Sequence, residues 1–422
     1  MKALRAIKGT RDILPAETPA WQRLESAARE LFPRYGYREI RTPVFEETEL
    51  FARGIGAETD IVAKEMYTFS DRGREGREGA SLTLRPEATA GIVRAVIEHG
   101  LVQSDPLLKV FTLGPMFRRE QPQKGRYRQF HQVNVEAFGL AQPDIDAEIV
   151  AMALAYLDAC GLGELELLLN SVGDAACRPA YVELLRKELG TQSEHLCGDC
   201  QRRSETNPLR VLDCKVPQDQ ERIAALPRIS EHLCGECDAH FTEVRRQLDL
   251  LGIPYQLNHR LVRGLDYYTR TTFEVTAAGI GAQNSVLGGG RYDGLVRELG
   301  GGDVPGIGFA LGLERMILAL PEAPDAPRCD VFCIDLDPRA RDAALLLQRA
   351  LRASGLRVVR DAEGRSFKAR MKLANKLGAR FVVIQGEEEL KNGVWSVRDM
   401  QHSDQRDVAA GDILAHLKES LL

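Results

Sequence analysis

Apolar residues recur at helical spacing from the first ordered-looking segment onward. Trp21, Leu24, Ala28 and Leu31 fall on one stripe, and Thr18 followed by Pro19 makes a good helix start, so a helix is predicted within residues 17–35. YREIRTPVFEE then reads as extended chain broken at Pro43, a pattern that suits a sheet edge or an interface better than a sheet centre. Residues 71–80, DRGREGREGA, carry glycine and charge without any period and read as a loop. SLTLRPEATAGIVRAVIEHG predicts a strand, then a helix opening at Pro86. LLKVFTLGPMF and QFHQVNVEAFG predict the two strands of a long antiparallel hairpin whose tip is QPQKGRYR.

From about residue 177 to 250 the pattern turns polar, charge-rich and mostly helical, as an insertion would. Strands resume at YQLNHRLVRGLDYYTRTTFEV and continue through NSVLGGGRYDGLV to VPGIGFALGLERMIL, where a glycine-rich strand runs into a helix. PEAPDAP, residues 321–327, is a linker by composition, closing a first domain over 1–320. Beyond it, over 328–422, CDVFCIDL, LRVVRD, RFVVIQG and NGVWSVRDM alternate with helical stretches as a small α/β domain would.

The composition, 44% hydrophobic and 28% charged over 422 residues, leaves room for substantial cores. The N-terminal stretch lacks the apolar run of a secretory signal, and nothing later has the length and apolarity of a membrane helix, so a cytoplasmic protein without membrane contact is expected. A formal net charge of −5 excludes a globally basic nucleic-acid coat but not local cationic surfaces. Two such surfaces stand out. Between Arg118 and Arg128 five cations accompany one acid, Glu120. In the tail, 17 Lys and Arg face 14 Asp and Glu, and Lys368, Lys372 and Lys376 recur every fourth residue along one helix face. Either that face is simply solvated, or it meets RNA phosphates.

Alternation on the second hairpin strand places Val133, Val135 and Ala137 on one side and Gln132, Asn134 and Glu136 on the other, with Phe130 and Phe138. One face can pack on a core while the other presents an amide and a carboxylate to a cavity. Arg118 and Glu120 share a face of the neighbouring segment, a pairing that suits a phosphate-bearing substrate. In LRPEATAG, Glu87 serves a helix start or holds an ammonium group. Arg263 puts a permanent cation near Tyr267 and Tyr268; on an extended chain one phenol would enter the core and the other a cavity. Gly288, Gly289 and Gly290 permit tight turns or close approach of a ligand. Glycines 306, 308 and 312 are spaced one residue longer than the dinucleotide fingerprint, and no phosphate-binding G-K-[ST] loop stands in a strand-to-helix context. Nine cysteines include Cys197-Gly-Asp-Cys200 and Cys234-Gly-Glu-Cys237; together these four could bind one zinc ion, although the separation of the pairs exceeds the usual ribbon spacing, and plain thiols are the alternative.

Taken in order, GTRDILP, LRPEATAG, GPMFRRE with QKGRYRQFHQVNVEAFG, LVRGLDYYTRTTFEV, LGGGRYDGL and GIGFALGLER resemble the histidyl-tRNA synthetase family of class II aminoacyl-tRNA synthetases over residues 9–315, and the tail resembles its anticodon-binding domain. The resemblance implies an α+β fold: a six-stranded antiparallel catalytic sheet flanked by helices, a helical insertion reaching the tRNA acceptor arm, and a C-terminal α/β domain. It implies a homodimer acting on L-histidine, ATP with Mg²⁺, and histidine tRNA. It assigns Arg118 and Arg263 to catalysis beside the α-phosphate, and Glu120, Arg126 and Arg315 to ATP. Glu87, Thr89 and Gln132 would hold the α-ammonium, Arg118 the carboxylate region, and Glu136 with Tyr268 the imidazole, Tyr267 lining the same pocket. Gln121 departs from the cation expected after the FRRE-like run. No editing domain is recognised.

Overall fold

The computed structural model describes residues 4–56, 59–71, 79–278, 284–321, 329–361 and 363–421. Most of the loop at 71–80 and of the linker at 321–327 lies outside them. The chain divides into two compact units, Met1–Pro321 and Glu322–Leu422.

In the first unit the strands are β1 (Arg38–Glu39), β2 (Phe45–Glu47), β3 (Tyr67–Ser70), β4 (Ser81–Leu84), β5 (Lys109–Phe117) and β6 (Gln129–Phe138). They continue with β7 (Leu165–Ser171), β8 (Gln256–Leu257), β9 (Thr269–Ala277), β10 (Ser285–Arg291) and β11 (Gly306–Gly312). The main sheet runs β1-β5-β6-β11-β10-β9-β7-β8. Its six central strands are antiparallel throughout, and the two-residue strands β1 and β8 add parallel edges. Pro43 does separate two short extended pieces: β1 caps the main sheet, and β2 joins β4 and β3 in a small sheet of its own.

One face of the main sheet is covered by three helices, Thr18–Leu31, Pro143–Ala159 and Gly235–Leu250, whose Leu24, Ile149 and Val244 are fully buried with Val133, Val135, Ile307, Phe309 and Phe273. The last of these helices corrects the expected insertion boundary. Although its sequence is as charged as what precedes it, Phe241, Val244 and Leu248 make one stripe that packs on the core under the main sheet. The more polar segment before it folds as short helices, and Tyr181, Leu185 and Leu196 join a second cluster with Ile92, Val93 and Tyr267.

The second unit holds β12 (Val331–Asp335), β13 (Val358–Arg360), β14 (Phe381–Gln385), β15 (Val394–Asp399) and β16 (Gln405–Ala409), ordered β13-β12-β14-β15-β16. Val331 and Cys333 face one apolar cluster with helices Ala340–Ala353 and Ile413–Leu421, while Phe332 and Ile334 face another with helix Phe367–Lys376. Burial on both faces explains the uninterrupted apolar runs of β12 and β14. β16 was not legible in the sequence, because its residues are mostly exposed and polar.

Candidate active site

The face of the main sheet opposite the three helices floors a cavity of about 1170 Å³. Strand register explains its shape. Glu136 on β6 pairs with Gly308 on β11, Gly308 with Gly290 on β10, and Gly290 with Thr272 on β9. The next row is Asn134, Ala310, Gly288 and Glu274. Functional side chains therefore stand on the outer strands of a trough whose middle is nearly bare, since alternate residues of the same strands (Val135, Phe309, Leu287 and Phe273) point into the core. The glycines at 288–290 lie inside a strand and form no turn. A Cβ on Gly288 would lie 2.1 Å from Nη2 of Arg263, and one on Gly290 2.6 Å from the Thr271 carbonyl oxygen and 2.9 Å from Cδ1 of Tyr268, so the space they leave is taken by the protein's own atoms.

All eleven residues nominated for histidine or ATP (Glu87, Thr89, Arg118, Glu120, Arg126, Gln132, Glu136, Arg263, Tyr267, Tyr268 and Arg315) line this one cavity. At its buried end, Glu136 is only 2% exposed. Its Oε1 accepts from Thr89 Oγ1 at 2.7 Å, and its Oε2 from the Tyr292 hydroxyl. Burial, outweighing these donors and reinforced by the charge of Glu87, pushes the Glu136 pKa up to about 8. Glu87 precedes the helix Thr89–Glu98, which opens later than the expected start at Pro86. Its carboxylate accepts from the backbone N–H of Thr89 at 2.7 Å and of Ala90 at 2.9 Å, and burial raises its pKa against those bonds. The helix-start role is thus real. It also fixes a buried carboxylate at the cavity wall.

Tyr267 and Tyr268 do not point opposite ways. They end an irregular segment before β9, their ring centroids lie 4.8 Å apart, and both face the cavity. Alternation fails there because no sheet partner holds the chain extended. Among the described residues, Gln132 Oε1, Asn134 Nδ2 and Arg263 Nε are buried in the cavity wall without a protein hydrogen-bond partner, which native structures rarely tolerate away from a ligand site.

Four arginines line the same cavity. Arg118 donates through Nε to the Pro86 carbonyl at 2.9 Å and lies over the Phe130 ring at 5.3 Å. Arg126 pairs with Glu120 at 3.0 Å, and Arg315 donates to the Ser285 carbonyl at 2.7 Å. Arg263 pairs with Glu274. Burial first, and then the nearby Arg126 and Arg118, lowers the Arg315 pKa, the mark of like charges gathered in one place. Such a cluster stabilises polyanions placed among it. Sequence reasoning overlooked Tyr292, Glu274, Glu65 and the space-making Gly308. Tyr292 sat within LGGGRYDGL, but its contact with Glu136 joins residues too far apart in sequence to be paired by pattern.

Outside the cavity, the basic tail needs correction. The surplus of cations counted along it is not all available to RNA, because Arg357 pairs with Asp330, Arg360 and Arg370 with Asp335, and Arg380 with Asp399. Lys368, Lys372 and Lys376 do share an exposed helix face. The cysteines need correction too. The pairs Cys197/Cys200 and Cys234/Cys237 do not meet: the first clusters with Cys214 and Asp219, the second with Asp174 and Cys177.

Comparison with known proteins bears on this geometry. A family model described as histidyl-tRNA synthetase matches residues 9–316, and one described as an anticodon binding domain matches 330–420. A histidine–tRNA ligase of Koribacter versatilis is 49% identical over 98% of this chain and 96% of its own, and one of Nitratidesulfovibrio vulgaris 52% identical over 99% of each. The crystal structure of apo S. aureus histidyl-tRNA synthetase covers 99% of this chain and 100% of its own with a TM-score of 0.82 at 38% identity. With the catalytic sheet, the cavity and the tail all inside these matches, the chain belongs to the histidyl-tRNA synthetase family.

Proposed function

We propose that the cavity of the first unit is where this chain activates L-histidine with ATP before passing the histidyl group to the 3′ end of histidine tRNA. In the first step the histidine carboxylate attacks the α-phosphorus of ATP and pyrophosphate leaves. Two anionic partners must meet, so the protein's contribution is fixed positive charge and alignment, with no protein nucleophile. Arg118 and Arg263 would offset charge at the α-phosphate, and Arg126 and Arg315 would take the outer phosphates with Glu120 at the same wall. The terminal ribose hydroxyl of the tRNA then attacks the adenylate's carbonyl carbon, and AMP leaves.

Glu87, Thr89 and Gln132 would hold the α-ammonium. Thr89 spends its proton on Glu136, so its lone pairs remain to accept, and Gln132 Oε1 is a buried acceptor with no protein donor. Glu136 and Tyr268 would read the imidazole, with Tyr267 beside them. A side chain without ring nitrogens would leave these buried groups unpaired, a discrimination of several kcal/mol by general experience with polar pockets, on the order of 10⁴ in rate. The observation that carries this reading is the meeting of a buried glutamate and two tyrosines at one end of a trough with four arginines along its length.

For Mg²⁺ the donor chemistry fits: Glu65, Glu120 and Glu274 are hard oxygen ligands lining the cavity. Glu120 and Glu274 would hold it, and the ion would supply positive charge to offset that of the triphosphate. The second unit would read the tRNA anticodon, with Lys368, Lys372 and Lys376 meeting phosphates, and the polar helical segment would approach the acceptor arm. The chain would act in the cytoplasm as a homodimer; no described helix is long and apolar enough to cross a membrane. Val44, Phe45 and Phe69 are exposed on the small sheet, the two aromatic rings edge to face at 6.4 Å, apolar surface that a second copy would cover. Histidine-dependent exchange of labelled pyrophosphate into ATP tests the reaction. Exchange absent while tRNA still binds would turn the reading toward an RNA-binding protein without catalysis.

A further inference from the structure

The segment between the helices at Arg178–Gly190 and Gly235–Leu250 sends Leu196, Val211, Leu212, Leu226 and Ile229 into the second apolar cluster, but its two short helices add little to it. Helix Gly198–Thr206 buries only Cys200 and Ser204, and helix Pro217–Ala224 only Asp219 and Ile223. What lies between these helices is a knot of three thiols and a carboxylate. Cys197, Cys200, Cys214 and Asp219 place one ligand atom each within 4.8 Å of all the others. Asp174, Cys177, Cys234 and Cys237 do the same at the base of the segment.

Charge is the first argument for an ion, and it applies to the inner cluster, since in the basal one Asp174 already pairs with Arg270 at 3.3 Å. Asp219 is 0% exposed, and among the described residues its partners are the Cys197 N–H, at 3.1 Å, and the Cys214 thiol, at 3.3 Å, with no Lys or Arg in an ion pair to it. An ionised carboxylate buried without a cation is costly enough that proteins pair it or bind a metal. Geometry is the second. A tetrahedral centre with Zn–S bonds of about 2.3 Å sets its sulfur atoms about 3.8 Å apart, whereas a disulfide requires about 2 Å. The Cys197 and Cys214 sulfurs are 3.9 Å apart. In the basal cluster, Asp174 Oδ1 lies 3.7 Å from Cys177 Sγ and 4.0 Å from Cys234 Sγ. Local structure is the third. Each Cys-x-x-Cys pair starts a helix, with Cys197 and Cys234 at the N-caps, so the first turn brings both thiols to the same side.

We propose that each cluster binds one zinc ion through three thiolates and one aspartate, giving two structural metal sites per chain. This resolves the spacing that made a single four-cysteine site awkward: neither pair needs the other, because each finds its third and fourth ligands nearby. The basal site clips the segment's two ends together across about sixty residues of chain, where closing a long loop is most effective. The inner site joins the two short helices, which bury few apolar side chains of their own.

The two ions would also steady the cavity. Arg178, next to the basal ligand Cys177, donates to the Val172 carbonyl at 3.2 Å and to that of Tyr268. Near the inner site, Arg210 donates to the Arg263 carbonyl at 2.8 Å, and Arg260 to the Cys214 carbonyl at 3.1 Å. The backbone carrying two proposed substrate-binding residues is thereby tied to both metal lobes.

The test is metal content of the full chain, purified under reducing conditions from zinc-supplemented cells. Two zinc ions per chain are expected, with Cys214→Ser losing one and Cys237→Ser losing the other. For the unaltered protein, where no variant can misfold, a mercurial thiol reagent should release both ions as the six cysteines react. Cobalt exchange should give the visible bands of tetrahedral thiolate Co²⁺ at two ions per chain. A single ion per unaltered chain that either variant abolishes, no metal with six free thiols, or cysteines paired as disulfides would each overturn the proposal.

Discussion

Gly308 faces Glu136 across the β6–β11 pair so closely that a Cβ at position 308 would lie 1.8 Å from Glu136 Oε2. The backbone of the Val135 carbonyl, 2.4 Å from the same point, leaves no room to give way. Gly308→Ala should therefore displace the glutamate and raise the KM for histidine by roughly 100-fold or more while ATP binding changes little. Steady-state exchange kinetics with each substrate varied would check this; an unaltered histidine KM would show that the Glu136 carboxylate does not recognise the ring.

The buried Glu136 also predicts a pH dependence. With its folded pKa near 8 and an ordinary glutamate value of 4.5 when unfolded, the folded chain holds a proton that the unfolded chain has released anywhere between the two. Stability from this group is then complete below the unfolded value and declines as pH rises toward 8. Glu136→Gln should flatten that decline in the histidine-free protein and weaken histidine binding more than ATP binding. Urea midpoints of the two proteins across this range, with calorimetric titration of histidine, are the measurements; parallel pH profiles would count against the shifted carboxyl.

Arg263 is held over Gly288 and paired with Glu274, one strand further on. Arg263→Ala should lower the rate of adenylate formation by on the order of 10²–10³ with little unfolding, the usual loss for one fixed transition-state charge partner. Gly288→Ala should mimic it, because the new methyl group occupies the guanidinium's place. Single-turnover adenylate formation measures both, and near-normal rates in either would contradict the assignment.

The exposed lysine face of the tail yields a prediction separable from the cavity. Changing Lys368, Lys372 and Lys376 together to Ala should raise the KM for tRNA and reduce its dependence on salt, since each lost phosphate contact lowers the salt slope by about one. Pyrophosphate exchange should stay as it was. Charging assays over a range of salt concentrations decide it, and an unchanged salt slope would return the helix face to plain solvation.

Much of this site could be read along the chain because β-strands expose alternate residues. Gln132, Asn134 and Glu136 were separable from Val133, Val135 and Ala137 by counting alone, and the structure puts the first set on the cavity and the second in the core. The same rule failed at Tyr267 and Tyr268, where the chain is not in a sheet. Helical spacing found the lysine face but gave no sign that helix Gly235–Leu250 belongs to the core, because the stripe of Phe241, Val244 and Leu248 is narrow in a charged sequence.

By itself the sequence determined what is periodic or contiguous: the hairpin, the glycine-rich strands, the two units, and the motifs that carry the family resemblance. Only the tertiary structure decided which distant groups meet. It put Tyr292 on Glu136 and Arg263 above Gly288, and it divided the cysteines into two clusters where spacing had offered one. The reason is that side-chain periodicity is a property of the local backbone, whereas a cavity or a ligand cluster is a coincidence in space among segments whose register is set by packing.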